Sequence, residues 1–525
     1  MAEGSPVLAA AYYGLAALIS YLSIYLAYNA FLHPLNKFPG PFPARLSDAY
    51  NGYHAFKRRL YLTTWQNHLK YGSVVRQGRN KLVFSSVTAL QDIYKSDCTT
   101  KPKAYIALGP RLKAPTVFSA RGRQLHRSRR QLIGQAISDR SMRTFEPTML
   151  KQVDLWTRHI YNSTKMPSTA INMTERSRLL GFNLAGLLAF GYDLELQTRE
   201  QNRFVLPKLE GGFFWSSVSV HWPLARKLLI GIAALKALRR LKNQYLLLME
   251  HIIATRTEQD KNAQHDLYSI VADELGSSEP SGIREGELWA EAMLFLPAAG
   301  DTTKTALAAT FFYLSQDAEC YNKLATEIRS SFTTGSQIRG AALTGCRYLR
   351  ACIDEALRMS PPVPGILWRE PYPSDQQQPF IVDGHVIPQG IIVGVNIYSV
   401  HYNEEYFPDP FTFRPERWLD GDGKIMREAF APFSFGPRGC AGKAMAYLEI
   451  SLVIAKTMWY FDFKPAESGT GELRPDIPGT AHGKDRANRV FELLDNITSS
   501  HDGPHLEFQQ REDFCKDFEE SEEEE

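Results

Sequence analysis

The sequence has little of several features that would assign it to a familiar class at once. Its six cysteines are scattered among 525 residues and form no C-x-x-C pair, which argues against a disulfide framework and against a zinc site. The formal net charge is only +3, so no overall field favours nucleic acid as a partner. Internal repeats and long low-complexity breaks are also missing from residues 48–510. These absences favour a large protein whose folded part lies in a reducing compartment such as the cytosol.

The longest apolar run lies at the N-terminus. Val7–Tyr28 carries no charged residue, and at ~1.5 Å per residue a helix over this segment would span about 33 Å, enough for the core of a bilayer. Lys37 and Arg45 follow it, so the positive charge places the C-terminal side in the cytosol. Residues 1–30 are therefore predicted to be a transmembrane anchor rather than a cleaved signal peptide or a buried core helix.

Three further units are predicted after the anchor. Successive prolines in residues 31–47 predict a stiff, extended hinge, with a simple linker as the alternative. Residues 48–510 are predicted to form one domain, mainly α with a small β-sheet portion. Residues 511–525 are acidic and poor in apolar side chains, which predicts a disordered tail. The clearest helical patterns cover Leu125–Ile137, Glu285–Leu314, Tyr348–Met359 and Ala441–Tyr460, and the clearest β-like runs are Val74–Gln77, Leu82–Phe84, Phe380–Val382 and Ile391–Val395.

The segment FSFGPRGCAG, from Phe433 to Gly442, is the strongest functional signal. A cysteine that ligates haem iron as a thiolate needs a tight loop whose backbone amides point at the sulfur. Gly436 permits such a turn, Phe433 can shield the sulfur from water, and Arg438 can pair with a haem propionate. Gly442 lets the following helix approach the macrocycle closely. Because this combination of residues is rare by chance, Cys440 is the candidate iron ligand.

The loop resembles that of the cytochrome P450 family, and a second motif supports the resemblance. Glu355 and Arg358 match the family's E-x-x-R motif, in which a spacing of three places both charges on one helix face. Arg417 lies in the segment PERW, which matches the P-E-R-[WF] element. The resemblance implies that these three side chains form a buried ion network that braces the chain before the haem loop.

A third motif is the segment AAGDTT, which begins at Ala298 inside a long helical pattern. Asp301 and Thr302 match the family's acid-alcohol pair, which delivers protons during oxygen activation. Ala299 stands where the family often has glycine, so the groove for oxygen is expected to be slightly tighter. Pro297 removes one helical hydrogen bond and is expected to kink the helix just before the site.

Basic residues supply a fourth match. His126 and Arg130 match the family's propionate-binding helix, because a spacing of four stacks them on one face. Arg369, which follows the turn PPVPG, is another predicted propionate partner. The remaining arginines of this basic run form either part of a basic face for an acidic electron donor or a solvated surface: Arg121, Arg123, Arg127 and Arg129.

The predicted substrate pocket is apolar. By family analogy its walls include four side chains, Phe118, Ala298, Ile366 and Leu367. Residues 363–367 contain no arginine or lysine that could bind a carboxylate, so a lipophilic small molecule is expected. The proline-rich hinge and the PPVPG turn look most like filamentous-fungal microsomal members, which suggests secondary metabolism: terpenoids, polyketides or alkaloids.

The resemblance implies a cofactor, partners and a location. The cofactor would be haem b (iron protoporphyrin IX) with Cys440 as the axial ligand. Electrons would come from an NADPH–cytochrome P450 reductase, with cytochrome b5 as an optional second donor. Together with O2, the enzyme would hydroxylate or epoxidise its substrate at the endoplasmic reticulum membrane, with a cytosolic catalytic domain over residues 48–510. The alternatives are a haem-thiolate isomerase or dehydratase, and a non-catalytic membrane protein that binds haem or a sterol.

Overall fold

The computed structural model describes residues 6–108, 114–166, 169–225, 236–272, 283–372, 379–421, 423–466 and 490–511, together with Phe514, Cys515 and Phe518. The helices with assigned bounds are α1 (Pro6–Ala27), α2 (Phe42–Leu46), α3 (Ala49–Phe56), α4 (Leu60–Tyr71), α5 (Val87–Tyr94), α6 (Arg123–Ala136), α7 (Asp139–Thr164), α8 (Met173–Phe190), α9 (Val205–His221), α10 (Lys236–Thr257), α11 (Leu267–Val271), α12 (Glu285–Gln316), α13 (Ala318–Ser331), α14 (Gly340–Thr344), α15 (Arg347–Met359), α16 (Ile397–His401), α17 (Lys424–Ala429) and α18 (Lys443–Tyr460).

Short strands join these helices. They are β1 (Val74–Gly78), β2 (Lys81–Phe84), β3 (Thr99–Thr100), β4 (Ile171–Asn172), β5 (Glu370–Pro371), β6 (Phe380–Val382), β7 (His385–Ile387), β8 (Ile392–Val395), β9 (Phe461–Pro465), β10 (Leu494–Asn496), β11 (Thr498–Ser500) and β12 (His505–Gln510). The strands form small sheets in the orders β1-β2-β8 and β4-β12-β9, and three two-stranded pairs. The expected mainly α fold with a small β-sheet portion is confirmed, and each segment singled out from the sequence has the predicted type.

Helix α12 lies in the core, where helices α8, α15 and α18 pack around it. Small residues allow the close approach of α8 and α12. A Cβ atom on Gly300 would lie 2.6 Å from the ring of Phe182, and one on Gly181 would lie 3.0 Å from the carbonyl oxygen of Gly300. The segment AAGDTT therefore lies where the backbones of two buried helices are close together. The α-helix continues through Pro297 without interruption, and the expected kink stays a prediction.

Local signals explain where α8 begins and ends. The side chain of Asn172 accepts hydrogen bonds from the amides of Thr174 and Glu175, which have no partner inside the helix. Gly191 ends the helix in the left-handed region, with φ of 59°. These two residues thereby set the length of the helix that packs against α12.

The N-terminal segment differs in part from its prediction. Ala9–Leu32 is long and apolar enough to cross a membrane, with a mean hydropathy of 1.6, and only 11% of its most apolar window is buried. The predicted extended hinge at 31–47, however, contains a 3-10 turn over Pro34–Lys37 and helix α2. Leu35 and Ala44 are completely buried, and the amide of Arg76 in β1 donates to Pro39 at 2.7 Å. The hinge is therefore packed against the body rather than free of it, because its apolar side chains bury surface there.

Three side chains beyond the predicted boundary at residue 510 contact the body. Cys515 and Phe518 are buried, and the ring of Phe518 stacks on Tyr161 with 5.0 Å between the ring centroids. The side chain of Phe514 packs on Trp459 at 5.0 Å. The described part of the acidic tail thus belongs to the body, because three apolar side chains find an apolar surface; residues 519–525 lie outside the described residues.

Candidate active site

The loop that carries Cys440 precedes helix α18 and is held by its own backbone. The amide of Cys440 donates to the carbonyl oxygen of Phe433 at 2.7 Å. Gly436 has φ of 68°, and a Cβ atom there would lie 2.1 Å from the carbonyl oxygen of Tyr94, so only glycine fits this turn. Burial raises the pKa of the Cys440 thiol, while the amide of Gly442 and two nearby cations oppose the shift. The backbone thus presents one thiol to a cavity.

Five basic side chains line that cavity beside the thiol: Lys101, His126, Arg130, Arg369 and Arg438. Burial, and then the neighbouring positive charges, lower the pKa of His126 to about 3. Burial likewise lowers the pKa of Lys101 well below its usual value, with further contributions from Arg369 and Arg438. Such a cluster of cations is unfavourable by itself and is suited to an anionic group. The sequence did not indicate Lys101 as a site residue, because Lys101 lies outside every recognised motif.

Among the described residues, the hydrogen bonds of Arg130, Arg369, Arg438 and Lys101 reach no carboxylate. Arg130 donates to the carbonyl oxygens of Gly439 at 2.7 Å and Cys440 at 3.2 Å. Arg438 donates to Ala120 at 2.7 Å, and to other carbonyl and hydroxyl oxygens. Arg369 donates to its neighbour Trp368, and Lys101 donates to Phe118. None of these partners is a carboxylate.

The residues fit a haem. A haem needs a thiolate on one side, cations for two propionates, and open space next to the following helix. Cys440 and the basic cluster supply the first two. Gly442 supplies the third, because a Cβ atom built there meets no atom within 4 Å. Phe433 also lines the cavity near the thiol, and its ring packs on Tyr447 with 5.1 Å between the ring centroids.

Thr302 and Asp301, the expected acid-alcohol pair of α12, do not both line the cavity. Thr302 lines the cavity, and its hydroxyl donates to the carbonyl oxygen of Ala298 at 2.8 Å. Asp301 does not appear among the described residues that line the cavity. One of its carboxylate oxygens accepts from Lys304 at 2.7 Å and the other accepts from Thr498. The structure therefore brings the alcohol to the cavity and holds the acid beside it.

The predicted ion network is present as a set of contacts. The side chains of Glu355 and Arg358 are fully buried and lie 2.8 Å apart, and Arg417 donates to Glu355 at 3.0 Å. Burial alone would raise the pKa of Glu355, but the two arginines outweigh it and hold the pKa below its usual value. Trp418 donates to the other carboxylate oxygen at 2.9 Å. Helix α15 is thereby joined to the PERW segment before the cysteine loop.

The cavity has a volume of about 350 Å³, within the range of ~300–1,000 Å³ that is usual for small-molecule sites. All four side chains predicted for the pocket line it, namely Phe118, Ala298, Ile366 and Leu367. Backbone bridges from Ile366 to Asn396 and from Arg369 to Val393 hold this wall against β8. Further apolar lining comes from Val117, Phe213, Val220, Leu294 and Phe295.

Sequence reasoning missed two groups, one that lines this cavity and one buried on α18. The hairpin β10–β11 contributes Asp495, Ile497 and Thr498 to the lining, although no spacing in the sequence indicates this. Glu449 on α18 is completely buried, and neither carboxylate oxygen has a regular hydrogen bond among the described residues. Burial raises its pKa to about 8, an effect that the nearby hydroxyl of Thr303 opposes. The only signal for Glu449 would have been a carboxylate inside an apolar helix.

Two of the four arginines suggested for a basic face, Arg121 and Arg129, form ion pairs within the protein. Arg129 is buried and paired with Glu287 at 2.5 Å, and Arg121 is paired with Glu370 at 2.5 Å. Their charges are neutralised within the protein, so they add little to any field outside it. The sequence could not show these pairs because both carboxylates are distant along the chain.

Comparison with known proteins defines the class. Residues 49–481 match the family model described as Cytochrome P450, so the chain belongs to the cytochrome P450 family and is a monooxygenase-type oxidoreductase. The resemblance carried by the cysteine loop is thereby confirmed. Membership implies a haem-thiolate cofactor, O2, a redox partner and a lipophilic substrate.

The individual relatives are fungal proteins. The chain is 33% identical over 514 residues to "Cytochrome P450 monooxygenase AKT7" of Alternaria alternata, covering 94% of this chain and 96% of the relative. It is 32% identical over 508 residues to "Cytochrome P450 monooxygenase poxM" of Penicillium oxalicum, covering 93% and 94%. It is also 32% identical over 517 residues to "Cytochrome P450 monooxygenase apf7" of Gibberella fujikuroi, covering 92% and 95%.

Proposed function

We propose that this chain is a membrane-anchored monooxygenase that binds haem b through Cys440 and oxidises a lipophilic small molecule. The observation that carries the proposal is the arrangement of the cavity: one thiol, a cluster of cations and an alcohol-bearing helix all face the same apolar space. Haem bound there would supply the activation of O2 and the transfer of one oxygen atom to a C–H bond or a double bond.

The chain's own residues have distinct roles in this proposal. The propionates are bound by four basic side chains, His126, Arg130, Arg369 and Arg438. Arg130 also holds the cysteine loop through hydrogen bonds to two carbonyl oxygens. Phe433 excludes water from the sulfur, and Gly442 leaves room for the macrocycle. The network of Glu355, Arg358 and Arg417 keeps the segment before the loop in place.

Proton supply is assigned to the segment around Thr302. Its hydroxyl proton is directed to Ala298, so the oxygen of Thr302 can still accept a hydrogen bond from another donor. Asp301, the next residue along α12, is the proposed catalytic acid. It must turn from Lys304 and Thr498 before it can exchange a proton with the cavity.

The substrate class follows from the lining. Apolar and aromatic side chains cover most of the described wall, which favours a lipophilic molecule recognised mainly by shape. The relatives come from filamentous fungi, and this supports a role in secondary metabolism on a terpenoid, polyketide or alkaloid skeleton.

The proposed setting is the endoplasmic reticulum membrane. The apolar segment at residues 1–30, in which helix α1 covers Pro6–Ala27, is the anchor. Residues 31–47 orient the body, and the catalytic domain begins near residue 48 and faces the cytosol. Electrons come from an NADPH–cytochrome P450 reductase in the same membrane, with cytochrome b5 as an optional donor. The exposed side chains of Arg123 and Arg127 lie on the surface proposed to face an acidic partner.

The first experiment is the spectrum of the reduced, carbon-monoxide-treated protein. Wild type should show the red-shifted Soret band of a thiolate-ligated haem, and Cys440→Ala should lose it. Cys98→Ser is the matched control, because Cys98 is exposed and lies outside the cavity. A normal band from Cys440→Ala would overturn the ligand assignment.

The second experiment separates the alternatives. Purified protein is screened with a panel of lipophilic metabolites for a substrate-induced spin-state shift, and active compounds are incubated with NADPH and reductase. Oxygenated product that requires both additions supports a monooxygenase. Product formed without them would instead indicate an isomerase or dehydratase, and no turnover with any binding compound would indicate a non-catalytic protein.

A further inference from the structure

The hairpin β10–β11 connects the cavity to the carboxylate of Asp301. Its strands pair with Asn496 opposite Thr498, and the residue between them, Ile497, has φ of 84°, a strained conformation for a β-branched side chain. Ile497 and Thr498 both line the cavity. The hydroxyl of Thr498 also donates to Asp301, so one residue both lines the cavity and contacts the acid.

Lys304 holds the other oxygen of the same carboxylate. Its ammonium nitrogen lies 2.7 Å from Asp301, and the two side chains are only 3% and 8% exposed. In such a buried pair, separation of the charges is unfavourable. The lysine is one helical turn from Asp301 on α12, and its long flexible side chain can follow a small rotation of the carboxylate.

The surroundings offer Lys304 no other described carboxylate partner. His501 lies between Thr305, at 3.0 Å, and Thr174. Burial lowers the pKa of His501 well below its usual value, with additional effects from Lys304 and Arg178, so His501 is neutral. Arg178 is itself paired with Glu210 at 3.4 Å. Asp301 is therefore held by one cation and one hydroxyl, and of these two described partners Thr498 lines the cavity whereas Lys304 does not.

We propose that Thr498 and Lys304 are positioning residues that hold Asp301 out of the cavity, and that the hairpin makes the release of this acid depend on a molecule occupying the cavity. The inference rests on the proposed function, in which Asp301 supplies protons. A ligand that presses on Ile497 moves the neighbouring hydroxyl away from the carboxylate. Asp301, still accompanied by Lys304, then turns toward Thr302.

This arrangement makes the supply of protons depend on whether a ligand occupies the cavity. Without a ligand, the acid stays engaged by Thr498, so electrons delivered to an empty site meet a poor proton supply. With a ligand, the carboxylate of Asp301 is released, takes up a proton from water and passes it on at the time when the proton is needed. Loss of one hydrogen bond to a charged group is enough to change such an equilibrium by about ten-fold.

The test uses the full chain in vesicles with reductase and no added substrate. Thr498→Val keeps the shape of the side chain and removes the hydroxyl, so NADPH oxidation and peroxide formation should rise by about ten-fold. Thr498→Ser should restore the wild-type rate. Ser500→Ala is the matched control, because Ser500 lies on the same strand and donates to Glu210 instead of Asp301; its rate should equal that of wild type.

A second readout does not depend on turnover. Amide hydrogen exchange in residues 494–500 should become about ten-fold faster in Thr498→Val and in Asp301→Ala, and the double variant should show no further increase, because both changes break the same contact. Additive effects would overturn the coupling. An increase in NADPH oxidation that persists when Asp301→Asn is added to Thr498→Val would overturn the role of the acid.

The two failures can be told apart. If the carbon-monoxide spectrum lacks the thiolate band, the proposed function itself fails. If that band is normal and Thr498→Val oxidises NADPH at the wild-type rate, only the positioning role fails, and Thr498 is a structural contact of the hairpin.

Discussion

The guanidinium of Arg130 on helix α6 lies 2.7 Å from the carbonyl oxygen of Gly439, to which it donates a hydrogen bond. A second nitrogen of the same group donates to Cys440 at 3.2 Å. These two residues are distant in the sequence, so the contact ties α6 to the cysteine loop. Arg130 is consequently expected to act through loop geometry as well as through its charge.

Replacement of Arg130 by lysine separates these two contributions. Lysine keeps the positive charge but cannot donate to both carbonyl oxygens from one planar group. We expect Arg130→Lys to lose haem on dilution several times faster than wild type, as measured by haem absorbance against protein concentration. Arg127→Lys, at an exposed position of the same helix, is the control and should retain haem normally. Equal retention in both variants would show that only charge matters at Arg130.

Glu355→Gln tests the buried ion network. The substitution leaves Arg358 and Arg417 without the anion that both now contact, and an uncompensated buried charge costs about 3–5 kcal/mol. Denaturant unfolding should show a loss of that size, or a large fall in the yield of haem-bound protein if the variant does not fold. Glu200→Ala removes an exposed partner of Arg203 and should cost less than about 1 kcal/mol. Similar losses in the two variants would contradict the importance of burial.

Glu449 gives a pH dependence with a definite sign. Its pKa is raised from 4.5 to about 8 in the folded protein, so between these values the folded state binds a proton that the unfolded state has released. Raising the pH through this window therefore lowers the free energy of unfolding, by at most about 1.4 kcal/mol per pH unit for one proton. Glu449→Gln should reduce this decline.

The measurement is denaturant unfolding at several pH values between 5 and 8, the window set by the shift of Glu449. Glu404→Gln, at an exposed turn, should keep the wild-type slope. Glu291 keeps contributing in the variant, because burial raises its pKa to about 8 as well. An unchanged slope in Glu449→Gln would mean that Glu449 is not a buried protonated acid.

Truncation tests the packed part of the C-terminus. Removal of residues 511–525 uncovers the apolar surface on which Phe518 and Cys515 lie, and full burial of one large apolar side chain is worth about 1.5–3 kcal/mol. A chain that ends at residue 510 should therefore unfold at a lower denaturant concentration than one that ends at residue 518. Removal of only residues 519–525 serves as the control. Identical midpoints for the two truncated chains would contradict the packing of the tail.

Much of the fold follows from local pattern. The helical periodicity of α6, α12, α15 and α18 and the turn chemistry of Gly436 are properties of short segments, so one sequence is enough to recognise them. The spacing of Glu355 and Arg358 likewise predicts one helix face. The same holds for the four pocket residues, which family motifs locate along the chain.

The remainder depends on contacts between distant residues. Nothing near Asp301 in the sequence indicates that Thr498 holds it, and nothing near Arg129 indicates Glu287. The hinge and the tail were assigned from composition, but Leu35 and Phe518 are buried because the folded body offers each an apolar surface. Composition predicts how a segment behaves in isolation, but these two segments pack against the folded body.

The burial of Leu35 and the bond between Arg76 and Pro39 have a practical consequence for preparing this enzyme without its apolar helix. A chain started at residue 48 would discard Leu35, Phe38 and Ala44, all of them part of the packed interior. A start before His33, whose ring accepts from the amide of Leu35 at 3.1 Å, would keep them. Removal of the apolar helix is therefore compatible with an intact interior only when the cut lies before His33.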